Sequence, residues 1–315
     1  MATSHGVCYK TPVSSPAPSV PAAKPDSGTG DPGVARPVIG VVVAGAGRFG
    51  AIHAAKLVDR SDVRIRAVVD PDLARARSLA AASPGAIAVG SLHELPRTLD
   101  AQVGLVATPI PALAQTTRGL LERGLHCLVE KPGAESAHEA SALVRAAARA
   151  ERLLAVGFVE RFNQALPRGG GFGRALVVRR AGPPRGGAGP IALDWGIHDL
   201  DLAHHLLGAP LDVLGARVEA DRLSIRLGGA EGARALLVCD RTRPRTWRRL
   251  WLDGLRIDLA GPRTQDALAA QWTAFLSGVR GGPIGPLAVG RDAVAALALA
   301  EALPLHGSVR ARAAG

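Results

Sequence analysis

Residues 38–50 read VIGVVVAGAGRFG. The first part, VIGVVVA, is a nearly unbroken β-branched run, as expected of a strand covered on both faces. Gly45, Gly47 and Gly50 then form G-x-G-x-x-G, and AIHAAKLVDR follows as a predicted helix. A strand, a glycine loop and a helix in that order make a turn suited to a dinucleotide. Gly45 permits the tight turn, Gly47 lets backbone approach a pyrophosphate, and Gly50 lets the helix close on the strand. The first helical turn, with Arg48 and Phe49, offers unpaired N–H groups to the anion. A second strand, VRIRAVV at 63–69, ends at Asp70. A carboxylate there accepts hydrogen bonds from an adenosine ribose diol and repels a 2′-phosphate, so NAD is expected rather than NADP. Two plainer readings stand beside these: an ordinary strand-to-helix turn for the glycines, and a capping role before Pro71 for Asp70.

Further along, Asp72 to Ala82 reads as helix and VGLVATP at 103–109 as strand, ending at Thr108 and Pro109. A helix at 110–123, a strand at 125–132 (LHCLVEKP) and an alanine-rich helix at 135–151 follow. Strands alternating with helices predict a doubly wound parallel sheet, the α/β class, over residues 37–156. Beyond that the pattern changes. ALVVRR, VLGARVEA, RLSIRLGG, ARALLVCD, RTWRRLWLDG and LRIDLA succeed one another with Gly, Pro or Asp between them. Consecutive strands without helices between them predict a mainly antiparallel sheet in a second domain, 157–315. One helix interrupts it near 194–207, and two close the chain at about 265–279 and 288–302. Residues 1–36 are rich in Pro, Ser, Ala and Gly and read as a disordered tail.

Net charge is +11, yet only Lys10, Lys24, Lys56 and Lys131 among the 38 basic residues are lysines. The arginines are spread along the chain and read as mostly solvated. With aromatics at 3%, they do not suggest a nucleic-acid-binding surface. Cys8, Cys127 and Cys239 match no zinc or redox spacing, which points to a reducing cytoplasm. No stretch predicts a membrane span or a secretory signal.

GAGRFGAIHAAKL, VVDPD, VATP, EKP and DWGIHDLDLAHHLLG occur in the order and spacing of the Gfo/Idh/MocA oxidoreductases, and the chain resembles that family over about residues 37 to 305. GFVERFNQAL is similar to a stretch of the branch acting on UDP-N-acetylglucosamine, with Phe158 and Gln164 where that branch has His and Pro. The resemblance implies a Rossmann domain followed by an α/β domain with an open sheet that often supports homodimers or homotetramers. It also implies that Thr108, Pro109 and Glu130 line the cofactor. Family members often carry a histidine four positions after Pro109, where this chain has Leu113.

By the same resemblance Lys131 reaches both the nicotinamide and the reacting hydroxyl, with Lys131–Pro132 expected to be cis. The chemistry supports it, since an ammonium beside a hydroxyl stabilises developing alkoxide. A surface lysine at a strand end is the plainer alternative. Asp194, His198 and Asp201 fall at i, i+4 and i+7, one face of a helix. Imidazole is the usual base for a hydroxyl proton near neutral pH, and a carboxylate can orient it. The resemblance makes His198 the acid/base, Asp194 its catalytic companion and Asp201 a substrate ligand. The same trio also reads as a polar helix face or as metal ligands. Hydride transfer beside an ammonium needs no Lewis acid, and no metal is assigned. Arg161 and Asn163 suit a phosphate or carboxylate and a sugar hydroxyl, or else a salt bridge linking the domains. Arg241, Arg243, Arg245, Arg248 and Arg249, around Trp247 and Trp251, are expected on a solvated or intersubunit face outside the site.

The expected function is NAD-dependent hydride transfer at a secondary hydroxyl of a sugar, nucleotide sugar or cyclitol, without nucleic acid or membrane as partner. The alternative is a catalytically silent NAD-binding protein of regulatory or interaction type on the same fold.

Overall fold

The structure, a computed structural model, describes residues 37–167, 170–171, 173–183, 189–208, 210–259 and 266–310. The tail expected at 1–36 lies outside them. The apolar runs of the first half become β1 (Ile39–Ala44), β2 (Val63–Val69), β3 (Ile87–Val89), β4 (Val103–Val106), β5 (His126–Val129) and β6 (Leu154–Val156). They form one parallel sheet in the order β3-β2-β1-β4-β5-β6. Strand order reverses between β1 and β4, which opens a crevice at their carboxyl ends, where ligands of such sheets bind.

Helices α1 (Arg48–Val58), α2 (Leu73–Ala80), α3 (Ile110–Glu122) and α4 (Ala137–Ala150) connect these strands. Asp72 caps α2 by accepting from the N–H groups of Ala74 and Arg75, and Ser136 caps α4 by accepting from that of Glu139. The central strands β1 and β4 are buried on both faces. Val42, Ala44, Val106 and Val129 pack with Leu113, Leu120 and Leu143 on one side. Val41, Val43, Ile65 and Leu105 pack with Ala54, Leu57, Trp272 and Phe275 on the other. Trp272 and Phe275 belong to α6 (Ala267–Val279), and α7 (Gly290–Glu301) adds Ala293, Ala296 and Leu297 to the first core. The last two helices therefore return to the first sheet.

The second sheet comprises β7 (Ala175–Ala181), β8 (Leu211–Val218), β9 (Arg222–Gly229), β10 (Arg234–Asp240), β11 (Trp247–Leu252), β12 (Leu255–Asp258) and β13 (Gly307–Arg310). Its order is β12-β11-β7-β10-β9-β8-β13. All neighbours are antiparallel except β7 and β10, which run parallel. The exception has a topological cause. Helix α5 (Ile197–Leu207) carries the chain from β7 across to β8, and the return through β9 lays β10 beside β7 in the same direction. Leu176, Val178, Ile225, Leu237 and Leu250 face α5 and form the core of this half. Alternate residues face the other way, and there Leu236 is 36% exposed. Among the described residues no helix is long and apolar enough to cross a membrane.

Candidate functional site

The glycine loop has the shape its sequence implies. Gly45 has φ +97°, and a Cβ there would lie 2.5 Å from the Ala107 carbonyl oxygen. A Cβ at Gly50 would lie 1.8 Å from the oxygen of Gly45, whereas one at Gly47 would meet nothing within 4 Å. Gly47 is thus the crest over which a ligand can lie, and Gly50 is the packing contact. Helix α1 begins at Arg48 with no side chain capping its first N–H groups. Arg48 and Phe49 are exposed on that turn, the guanidinium 5.9 Å from the ring centroid. Asp70 is 6% exposed. It accepts from the N–H groups of Ala46, at 2.8 Å, and Asp72, at 2.9 Å, so the end of β2 is tied to the loop. Across the crevice the Thr108 hydroxyl is buried without a partner, and Pro109 is exposed at the start of α3. An open crest, uncapped N–H groups, a carboxylate at the end of β2 and an unpartnered hydroxyl at the end of β4 together fit a dinucleotide. Gly47→Ala is expected to leave the thermal midpoint unchanged and weaken NAD binding. Gly50→Ala is expected to cost about 1–3 kcal/mol or more through overpacking. Thermal melts and fluorescence titration with NAD check both.

Lys131 stands at the next strand end, in a cis Lys131–Pro132 unit. Its Nζ donates to the backbone oxygen of Asp194, at 3.0 Å, and to its Oδ1, at 3.1 Å. Asp194 lies in a π-helical turn, Ala192–Gly196, that leads into α5. Such a turn is a frequent device at functional sites because it displaces backbone groups from the regular ladder. Its Oδ2 accepts from Arg241 Nη2 at 2.9 Å, so the carboxylate bridges two cations. His198 follows in α5, with Phe158 meeting its ring edge-on at 6.1 Å. Its Nδ1 is enclosed with no partner. Burial first, and then the charges of Lys131, Arg180 and Arg248, hold its pKa well below the ordinary imidazole value. It is a neutral imidazole at physiological pH.

Asp201 is placed differently. Helix α5 is buried around most of its circumference, so a shared helix face is not a shared opening. Asp201 is 1% exposed and paired with Arg161, whose Nε lies 2.9 Å from Oδ2; Asp292 is 3.3 Å from the same guanidinium. Asn163 donates to the Leu259 carbonyl and accepts from the Ala165 N–H. Arg161, Asn163 and Asp201 are thus engaged with protein groups. Glu130 turns toward His53, with Oε1 2.7 Å from Nε2. Leu113 is 1% exposed, within the first core.

Two arginines expected at the surface lie under the site instead. Arg241 is 3% exposed and packs 5.6 Å from the Trp195 centroid. Arg248 donates to Asp199 at 2.6 Å, and Asp199 is 0% exposed. Strand parity is the reason: Arg248 shares its face with Leu250 and Leu252, and Arg241 shares its own with Leu237 and Cys239. Arg180 follows Leu176 and Val178 on β7 and donates to the Trp195 carbonyl at 3.0 Å. Glu160 lies within ion-pair distance of both Arg180 and Arg248. The inward face of the sheet thus turns from aliphatic to cationic where it meets Asp194 and Asp199. Arg249 keeps the expected exposure, stacked 5.2 Å from the Trp247 centroid.

Comparison with known proteins agrees with this architecture. Residues 39–158 match the Gfo/Idh/MocA model, described as an oxidoreductase family with an NAD-binding Rossmann fold. The chain is 35% identical over 185 residues to a UDP-N-acetylglucosamine 3-dehydrogenase of Acidithiobacillus ferrooxidans, covering 56% of this chain and 58% of that one. It is 32% identical over 180 residues to an inositol 2-dehydrogenase of Rhodococcus erythropolis, covering 53% and 52%. It therefore spans only a little over half the length of these relatives. The solved structure of the Acidithiobacillus ferrooxidans UDP-N-acetylglucosamine 3-dehydrogenase superposes with a TM-score of 0.74 at 25% identity, covering 84% of this chain and 95% of that one. The glycine-loop part of the chain thus matches the Gfo/Idh/MocA oxidoreductase family model, and both sheets share the fold of the Acidithiobacillus ferrooxidans dehydrogenase.

Proposed function

We propose that this chain is an NAD-dependent oxidoreductase that moves hydride to or from a secondary hydroxyl of a sugar, nucleotide sugar or cyclitol. The observation that carries the reading is the meeting of Lys131 with Asp194, 3.1 Å apart, one turn from the neutral imidazole of His198. These groups come from separate segments and converge beside the carboxyl ends of the parallel sheet. NAD, when bound, supplies the hydride acceptor or donor. Gly45, Gly47, Gly50, the start of α1 and Thr108 would hold it, and Asp70 favours NAD over NADP because a carboxylate repels a 2′-phosphate. His198 takes the hydroxyl proton on oxidation and returns it on reduction. Lys131 stabilises alkoxide character on the same oxygen. Asp194 orients the ammonium, and Arg241 fixes the carboxylate from behind. The free, buried thiols of Cys127 and Cys239 support a reducing, cytoplasmic setting.

Formation of reduced nicotinamide from NAD with a panel of cyclitols, sugars and UDP-sugars tests the proposal. Absence of turnover with every class would sink it. A second expectation concerns pH. Because burial and three cations keep His198 neutral, turnover should show no acid limb in the ordinary imidazole range, and the limb should lie well below it. A break in the rate profile at the ordinary imidazole value, assigned to His198 by NMR titration, would contradict the assignment. The outward face of the second sheet, with Val177, Leu236 and Val238 side by side, suits a second copy of this chain. Light scattering on the purified protein should give a dimer or tetramer mass.

A further inference from the structure

Lys131 takes its position from the residue before it. The Glu130 N–H donates to the Val106 carbonyl at 2.8 Å, so the sheet ladder runs up to this residue. Its carboxylate then turns toward α1, where Oε1 lies 2.7 Å from His53 Nε2. A Cβ at Gly157 would come within 3.2 Å of that oxygen, so Gly157 keeps the slot for the carboxylate open. His53 is 1% exposed. On the far side of its ring, Trp272 Nε1 lies 2.9 Å from Nδ1, with the two rings at 80°.

The indole N–H can only donate. Nδ1 of His53 must therefore accept, the ring proton must sit on Nε2, and Nε2–H must donate to Glu130. The tautomer is dictated from both sides by fixed partners. The result is a line of hydrogen bonds from α6 through α1 to the turn that carries Lys131, buried at its Trp272–His53 link. It joins the helix that starts at the glycine loop to the residue preceding the ammonium.

We infer that His53 is a positioning residue for Lys131. It anchors Glu130, and through it the 130–132 turn, to the glycine-loop helix. The inference rests on the reading of Lys131 as the ammonium beside the reacting hydroxyl. Without the donor, the half-buried Glu130 carboxylate turns outward to find water, and that displaces the adjoining Lys131.

Three variants and a spectrum test it. In wild-type protein with 15N-labelled histidine, one imidazole should carry its proton on Nε2, with Nδ1 bare, and the resonance should be lost in His53→Leu. Trp272→Phe removes the donor to Nδ1 and should shift the Nδ1 resonance of His53, while Glu130 still holds the proton on Nε2. His53→Leu should lower kcat by about tenfold to hundredfold, as is usual when the partner that orients an active-site group is removed. The Kd for NAD should stay within about twofold, a loss confined to the reaction step. His53→Gln, which keeps an N–H within reach of Glu130, should recover most of the loss. Unchanged kcat in His53→Leu, or equal loss in the Leu and Gln variants, would overturn the inference, the second result by showing that the ring merely fills space. If wild-type protein oxidises no polyol with NAD, it is the functional proposal that fails. The spectrum then decides for the His53 relay by itself: a proton on Nε2 supports it and a proton on Nδ1 overturns it.

Discussion

Lys131→Met should lower turnover by about a hundredfold to a thousandfold, the usual cost of removing one donor aimed at developing negative charge. The Kd for NAD should hold, because the glycine loop, Asp70 and Thr108 are untouched. The variant should also fold. Lys131 is only partly buried, and Asp194 keeps Arg241 as a partner at 2.9 Å. A second effect accompanies the first. The ammonium is one of the charges that depress His198, so its removal should move the imidazole pKa upward. Fluorescence titration, single-turnover kinetics and an NMR titration of His198 separate these effects. Full turnover in Lys131→Met would remove the ammonium from the mechanism.

Arg161→Ala should be the most destabilising single change among the residues discussed. It leaves Asp201, 1% exposed, facing Asp292 without a cation between them. Breaking a buried pair from one side typically costs about 3–5 kcal/mol. Burial already pushes the Asp201 carboxyl up to about 6, against the pull of Arg161. Without Arg161 the value should rise further. A carboxyl raised in the folded state holds its proton there after the unfolded chain has released it, at about pH 4. Folding then binds protons, and stability falls as pH rises from that value toward the folded pKa. The variant should therefore be weaker at pH 8 than at pH 5, with the difference larger than in wild type. Urea unfolding at the two pH values measures it. Adding Asp201→Leu should restore much of the loss, since an apolar replacement needs no counter-charge. A loss of less than about 1 kcal/mol, the size of a surface pair, would show that the pair is solvated rather than buried.

Much of this architecture is legible in the chain itself. The strand–loop–helix reading of 38–50 is legible because three residue types with different steric demands fall at fixed spacing. The switch from helix-separated to consecutive strands after residue 156 is legible because the hydrophobic period changes. What escapes has physical reasons too. Three-residue β3 is too short to show a period, and β13 lies beyond the last clear helix. Alternation gives the faces of a strand and not its neighbours, so the parallel β7–β10 pair is hidden. Arg248 could have been placed from its parity with Leu250 and Leu252, had its charge not suggested solvent. Asp201 shows the converse: a helix face gives direction, not what covers it. His53 and Trp272 lie 219 residues apart, and no local pattern can pair them.

The return of α6 and α7 to the first sheet bears on how the polypeptide is made. Trp272 and Phe275 seal one side of β1 and β2, and Ala293 and Leu297 pack into the core on the other. A nascent chain emerging from the ribosome therefore carries its glycine-loop half unsealed until α6 and α7 have been synthesised. A truncation just before Ala267 would strip cover from the portion translated first.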